Sequence, residues 1–149
     1  MAASPLQQLV DNRALVAAVV GWFAAQSLKV VGEVARTRRL DLARLTGAGG
    51  MPSSHSATVT ALATAIGRAP GLSSPLFAVS AVFAAVVMYD ATGVRRAVSI
   101  QARLLNRMLD DFFARRGFDQ HYLRELIGHT PREVLAGALL GVIVGLLLP

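Results

Sequence analysis

Four apolar stretches alternate with polar, arginine-rich connections along the chain. They cover residues 14–31, 57–66, 76–89 and 134–148. A helix needs about 20 residues to span a bilayer, with a lower limit near 17. The first and fourth stretches approach that length, and the second and third predict shorter spans that are partly buried in protein. The pattern predicts a single domain over residues 1–149, an all-α membrane helix bundle with about four transmembrane spans.

The connection before the fourth stretch contains a further helical pattern over residues 98–113. Apolar residues recur there at helical spacing, whereas Arg103, Arg107 and Asp110 fall elsewhere. This pattern indicates a basic amphipathic helix, either lying at the membrane interface or continuing the third span.

Composition supports a membrane protein. Hydrophobic residues make up 54% of the chain, whereas roughly 45–50% is usual for soluble domains. The absence of cysteine excludes disulfides and thiolate metal sites.

The charge is distributed unevenly around the predicted spans. The net charge is +6, Lys29 is the only lysine, and the arginines cluster in the first and third connections. With four spans these connections lie on one side, which the positive-inside bias makes cytoplasmic. A basic face beside a membrane explains the charge, so no nucleic-acid partner is expected. We expect an integral protein of a bacterial cell membrane or a plastid membrane.

The segment GGMPSSHSATV, residues 49–59, leads directly into the second stretch. Gly49 and Gly50 permit unusual backbone angles, and Pro52 suits a helix start. Ser53 or Ser54 is a candidate N-cap. The free N–H groups of the following turn, which contains His55, would attract a phosphate.

A similar arrangement begins the fourth stretch, in the segment GHTPREV. Thr130 is a candidate N-cap, Pro131 occupies the first helical position and Glu133 completes a capping box. His129 immediately precedes the cap. Two helix starts, each with a histidine, are therefore predicted on one face of the membrane.

Other polar residues are predicted at the same level. They are Gln26, Lys29, Asp90, Arg95 and Arg96. Cations, two histidines and two helix N-termini would stabilise a phosphoryl-transfer transition state, with one histidine as nucleophile and the other as proton donor.

Structural interpretations of these residues remain open. Helix capping alone would explain the residues Ser53, Thr130 and Glu133. Anchoring of the first span at the lipid headgroups would explain Lys29 and Arg38. For Asp90 the alternatives are pairing with a nearby arginine or binding a metal.

The segments GGMPSSHSA, DATGVRR and GHTPREV, together with Gln26 and Lys29, resemble the divergent bacterial and plastid branch of the type-2 phosphatidic acid phosphatases, the acid phosphatase/vanadium-dependent haloperoxidase-related membrane proteins. The resemblance covers residues 26–142. It implies that His129 is the nucleophile, Glu133 its orienting partner and His55 the general acid. It also implies that Lys29 binds phosphate and that neither a metal nor another cofactor takes part.

The sequence departs from the pattern of the wider superfamily at several positions. Ser54 replaces a glycine. The superfamily also has a phosphate-binding arginine after the lysine. The candidates for it here are Arg36, which has the right spacing, Arg38, which aligns better with the divergent branch, and the adjacent Arg39. Leu123 occupies the position of an arginine that precedes the nucleophilic histidine. The substitutes for that arginine in phosphate binding would be Arg95 or Arg96.

The sequence therefore predicts a metal-independent phosphatase for a membrane lipid phosphate such as phosphatidylglycerophosphate, phosphatidate or a polyprenyl phosphate. Phosphate binding is expected from Lys29, Arg38, Ser53, Ser54, Arg95 and Arg96, with Gln26 and Asp90 in support. A non-catalytic lipid-phosphate-binding or scaffold protein is the main alternative. Haloperoxidase and transporter functions are weaker ones.

Oligomeric state is suggested by a repeat of small residues in the fourth stretch. Gly137, Gly141 and Gly145 recur every four residues, which lets another helix approach closely, within the chain or across a homodimer. A homodimer is expected because the bundle is small.

Overall fold

The computed structural model describes residues 3–39, 50–113 and 129–148. All regular structure in these ranges is helical, which confirms the predicted all-α class. The helices are α1 (Pro5–Asp11), α2 (Arg13–Thr37), α3 (Ser54–Arg68), α4 (Pro75–Thr92), α5 (Val94–Phe113) and α6 (Pro131–Leu147).

Polar caps explain where the long helices begin. The side chains of Asn12, Ser53, Ser74 and Thr130 each accept a backbone N–H from the first turn of the following helix. Such caps satisfy donors that would otherwise be left without a partner. Pro131 occupies the first position of α6 as predicted, but Pro52 does not begin α3, because it precedes the Ser53 cap.

Helix α3 is the centre of the bundle and contacts α2, α4 and α6. Its buried residues are all small or β-branched, including Ala57, Ala61 and Thr60. Small side chains permit close approach of helix backbones, which is how helices associate where no water drives them together.

The glycine stripe of α6 packs against α3 of the same chain. A Cβ atom at Gly137 would collide with the Ser53 carbonyl oxygen, and one at Gly141 with the Thr60 hydroxyl. At Gly145 it would lie 2.6 Å from Cβ of Thr64. The sequence allowed the glycines to pack against a helix of the same chain or of a second chain. The structure shows packing within the chain, so the glycine stripe no longer supports a homodimer.

A direct polar contact joins the same two helices. The single proton of the Thr60 hydroxyl is shared between the Ala138 carbonyl oxygen of α6, at 3.1 Å, and the Ser56 carbonyl oxygen of its own helix, at 2.7 Å. In an apolar environment, such a bond adds up to about 1–2 kcal/mol to helix association.

Among the residues that the structure describes, α2 and α4 are by length and composition long and apolar enough to cross a membrane. Helix α3 has 15 residues and α6 has 17, which at 1.5 Å per residue gives lengths of about 22 and 25 Å, short of the roughly 30 Å hydrocarbon layer. The total of four spans therefore stays a prediction, while the buried, central position of α3 agrees with its short length.

The outward face of α4 is strongly apolar. Val79, Val82 and Val86 are each at least 60% exposed. A continuous exposed row of branched aliphatic side chains is typical of a surface covered by lipid or by another protein.

The predicted basic amphipathic helix is confirmed as α5. It begins at Val94, four residues earlier than expected, and only Gly93 separates it from α4. Ala102 and Asn106 are buried one turn apart, whereas Arg103 and Arg107 are exposed.

Candidate active site

The two helix starts that carry histidines lie at one end of the bundle, as the sequence predicts, and the structure shows that the two rings are neighbours. The ring centroids of His55 and His129 are 6.0 Å apart, with the rings inclined at 81°. His129 is only 3% exposed, whereas His55 is exposed. The two imidazoles are close enough for a single phosphate ester to contact both.

Backbone hydrogen bonds fix this arrangement. The N–H of Ser53, the cap of α3, donates to the Glu133 carbonyl oxygen in the first turn of α6 at 2.9 Å. The N–H of His129 donates to the Ala91 carbonyl oxygen in the last turn of α4 at 3.2 Å. The ends of three helices are thereby joined, and the position of each histidine follows from backbone contacts.

Lys29 brings a cation from α2 to the same cluster. Its Nζ atom donates to the Gln26 carbonyl oxygen Oε1 at 2.8 Å and to the Ser54 hydroxyl at 3.3 Å, and the residue is 9% exposed. It also attracts the Glu133 carboxylate electrostatically. An ammonium has three N–H donors, and within the described part of the chain only two have acceptors. The third donor of a buried cation is thus available to an anionic ligand.

Ser53 and Ser54 have different roles in the structure. The Ser53 hydroxyl is fully buried and accepts bonds from the Ser56 N–H at 3.3 Å and the Ser56 hydroxyl at 3.0 Å. Ser53 is thus the helix cap, and Ser54 is the serine that contacts Lys29. The sequence left the cap open between them.

The Glu133 carboxylate forms the capping box that the sequence predicts. It accepts the Thr130 N–H at 2.7 Å, and the Thr130 hydroxyl accepts the Glu133 N–H at 3.4 Å. The carboxylate therefore stabilises the residue next to His129 through the backbone and also attracts Lys29.

The two contributions of Glu133 are separable by substitution. Glutamine at this position completes a capping box as glutamate does, so Glu133→Gln is expected to change the free energy of unfolding by less than about 0.5 kcal/mol. Glu133→Ala is expected to cost about 1 kcal/mol. Thermal unfolding in detergent measures both. Equal losses of stability in the two variants would show that the charge, and not the cap, is what stabilises the structure.

The predicted arginines that follow Lys29 are exposed near the end of α2. Arg36 forms an exposed ion pair with Glu33 at 3.2 Å. Arg38 is the exposed C-cap of α2, nine residues beyond Lys29, which is about 13 Å along the helix axis. Arg39 is also exposed. Arg95 and Arg96 lie in the first turn of α5, and their side chains fall outside the described residues, as do Gly49 and Leu123.

A cavity of about 330 Å³ adjoins the exposed histidine. Its lining residues are His55, Val86, Val87, Asp90 and Ala91. Asp90 thus lines the same cavity as His55. The sequence predicted only that the two residues lie at the same level of the membrane. The valines were not predicted as site residues. They precede Asp90 by three and four residues and therefore share its face of α4. This spacing is the sequence signal that could have predicted them as neighbours of Asp90.

These features together define a cluster of two histidines and a buried lysine at paired helix starts. The chain belongs to the Divergent PAP2 family, whose model matches residues 10–144. It is 43% identical over 152 aligned residues to the Uncharacterized membrane protein YuiD of Bacillus subtilis (strain 168), and the alignment covers 95% of this chain and 96% of that protein. No solved structure is significantly similar to the chain. The comparisons confirm the resemblance deduced from the motifs and show a membrane protein related to phosphatases.

Proposed function

We propose that the protein is a metal-independent phosphatase for lipid phosphomonoesters. The observation that carries this proposal is the placement of two histidines, with ring centroids 6.0 Å apart, beside a buried lysine that donates to Ser54. A nucleophile, a proton donor and a fixed cation are the groups that phosphoryl transfer through a histidine requires.

The proposed reaction has two steps. The neutral imidazole of His129 attacks phosphorus, the bond from phosphorus to the ester oxygen breaks, and His55 donates a proton to that oxygen, releasing an alcohol. Water then attacks the phosphohistidine while His55 accepts a proton from it. Inorganic phosphate leaves, and both histidines return to their initial states.

Fixed positive charge offsets the charge of the transition state. The Lys29 ammonium and the free N–H groups in the first turn of α3 both contribute. The hydrogen bond from Lys29 to Ser54 links the ammonium to that turn, so these groups need little reorganisation during the reaction. Orientation of His129 by Glu133 would act through the Thr130 backbone.

A lipid substrate is supported by the surroundings of His55. A general acid protonates the leaving oxygen, so the leaving alcohol occupies the side of the phosphate on which His55 lies. The cavity there has walls of Val86, Val87 and Ala91 and continues onto the exposed apolar face of α4. Phosphatidylglycerophosphate, phosphatidate and polyprenyl phosphates all have an apolar leaving alcohol that suits such a surface. The arginine bias supports a position for this end of the bundle at the cytoplasmic boundary of a cell or plastid membrane.

The second candidate is a non-catalytic protein that binds lipid phosphate. It is favoured by the hydrogen bond of the Glu133 carboxylate to the Thr130 backbone and by Leu123, which occupies the position of the superfamily arginine. Such a protein would use Lys29 and the α3 N-terminus to bind phosphate without transferring it.

Phosphate release by the purified protein tests both candidates. The protein in detergent is mixed with each of the three lipid phosphates, with and without EDTA. Release that survives EDTA supports the phosphatase. Release that depends on added metal contradicts the metal-independent mechanism. Bound lipid phosphate with no release from any substrate would favour the non-catalytic candidate.

A further inference from the structure

A second cationic cavity lies at the opposite end of the bundle from the histidines. It has a volume of about 210 Å³ and is lined by Arg13, Ala65, Arg68, Ala69 and Leu148. These residues belong to the start of α2 and the ends of α3 and α6, whereas the histidines lie at the starts of α3 and α6. The cavity is therefore separated from the proposed active site by the length of α3, about 22 Å.

Arg68 is held in place by the end of α6. Its Nη1 atom donates to the carbonyl oxygens of Gly145 at 3.3 Å, Leu146 at 2.8 Å and Leu148 at 2.8 Å. These carbonyls have no partners within the helix, and a cation near a helix C-terminus is favourable. Only one of the three guanidinium nitrogens is used in this way among the described residues. The Nε and Nη2 donors of a well-positioned guanidinium are left for another acceptor.

Arg13 occupies a position that is electrostatically unfavourable unless an anion is near. It is the first residue of α2, where the helix dipole presents partial positive charge and disfavours a cation. Its side chain forms no ion pair or hydrogen bond within residues 3–39, 50–113 and 129–148. The positive end of α2 and two guanidinium groups thus converge on one cavity, and no carboxylate is among the described residues that line it. Asp11, two residues before Arg13, forms no ion pair with it.

The surroundings of this cavity are typical of a segment at the depth of lipid headgroups. Helix α1, immediately before Arg13, exposes Leu6, Leu9 and Val10 at 72%, 55% and 66%. Leu76, at the start of α4, is 64% exposed at the same end. Exposed apolar side chains beside cations are characteristic of segments that lie at a membrane interface.

We propose that Arg13 and Arg68 form a phosphate-binding site for an anionic lipid in the leaflet opposite the histidine cluster. The phosphate would accept bonds from both guanidinium groups, which match its geometry in a bidentate manner. Leu148, Ala65 and Ala69 would contact the adjoining apolar part of the lipid. This site is proposed to bind and not to hydrolyse, since none of the described residues that line it is a histidine, and it is independent of the proposed phosphatase activity.

The test compares Arg13→Gln with Arg36→Gln in the purified full-length protein. Arg13→Gln removes a cation from a helix N-terminus, so the lipid-free variant is expected to be at least as stable as the parent protein. Arg36→Gln removes one arginine near the other end of α2 and breaks only an exposed ion pair, which contributes little to stability. Phosphatidylglycerol, phosphatidylcholine and inorganic phosphate are titrated separately, and binding is followed by native mass spectrometry and by the shift in thermal unfolding temperature.

The parent protein and Arg36→Gln are expected to bind phosphatidylglycerol with equal affinity, and Arg13→Gln about tenfold more weakly, as for loss of one charged hydrogen-bonding group. Phosphatidylcholine is expected to show no difference among the three proteins. If inorganic phosphate reproduces the dependence on Arg13, the ligand is a free anion and the phosphate site stands. Equal phosphatidylglycerol affinities for parent and Arg13→Gln, or equal weakening in both variants, would overturn the proposal.

Discussion

His129→Ala is expected to reduce phosphate release to background, a loss of about 10⁴-fold or more, because no phosphohistidine forms without the nucleophile. The loss should be the same for lipid phosphates and for p-nitrophenyl phosphate, since both require attack on phosphorus. The variant and the parent protein are compared by their rates of phosphate release after the rate of uncatalysed hydrolysis has been subtracted.

His55→Ala is expected to behave differently in the same assay. A general acid contributes about 10²–10⁴-fold, but p-nitrophenolate leaves without protonation. The variant should therefore lose most activity toward lipid phosphates and retain much more toward p-nitrophenyl phosphate. The third histidine, His121, which lies outside the described residues, provides the control: His121→Ala should leave both activities unchanged.

These outcomes separate the roles of the two histidines. Recovery with p-nitrophenyl phosphate in His129→Ala, and not in His55→Ala, would reverse the assignment. Unchanged release in both variants, in protein that is folded by circular dichroism, would contradict the two-histidine mechanism altogether.

Gly141→Ala is expected to have the second large effect, this time on stability. The new methyl group would collide with the Thr60 hydroxyl and approach the backbone N atom of Ala61 to 2.9 Å. Backbone atoms of α3 cannot move aside as a flexible side chain does, so α3 and α6 must separate. We expect a loss of about 1–3 kcal/mol, as for other overpacked cores, together with loss of the Thr60 bond to Ala138.

Gly32→Ala is the matched control, because the same methyl group is added to a helix where nothing lies within 4 Å. Alanine is favoured over glycine within a helix by roughly 0.5–1 kcal/mol, so this variant should be slightly more stable than the parent. Thermal unfolding in one detergent compares the two. If Gly141→Ala is as stable as Gly32→Ala, the close packing of α6 on α3 is wrong.

The Gly141 variant also addresses oligomeric state. A stripe that packs within the chain predicts that Gly141→Ala lowers the unfolding temperature without a change in the number of subunits. A change in mass in detergent with unaltered stability would instead place the stripe at an interface between two chains.

Much of the fold is encoded locally. Apolar stretches identified α2, α3, α4 and α6, and apolar periodicity identified α5, whereas α1 was not predicted. The residues Ser53, Thr130 and Pro131 indicated where two of the helices begin, because caps and proline act within one turn. The same local chemistry located both histidines, as each lies within one or two residues of a cap. The sequence did not decide whether Ser53 or Ser54 caps α3, because adjacent hydroxyls offer the backbone the same kind of acceptor. The hydrogen bonds in the structure distinguish them, since Ser53 accepts the Ser56 N–H and Ser54 accepts from Lys29.

Other features depended on contacts between distant segments. Lys29 and Ser54 are 25 residues apart and meet only because α2 and α3 pack closely. Glycine spacing alone fits a helix of the same chain or of another, and the selection of α3 follows from the small side chains on its facing surface. The cationic cavity of Arg13 and Arg68 is also tertiary, since its members come from the ends of helices far apart in sequence.

The sequence by itself determined an all-α membrane protein, its family and the two histidine-bearing helix starts, because hydrophobic period, capping and motif identity are properties of neighbouring residues. Only the tertiary structure decided that the histidines adjoin each other, that Lys29 is buried with a donor directed to Ser54, and that Arg36 pairs with Glu33 and Arg38 caps α2. These outcomes depend on the packing of α2, α3, α4 and α6, and packing is set by the shape of surfaces that are far apart along the chain.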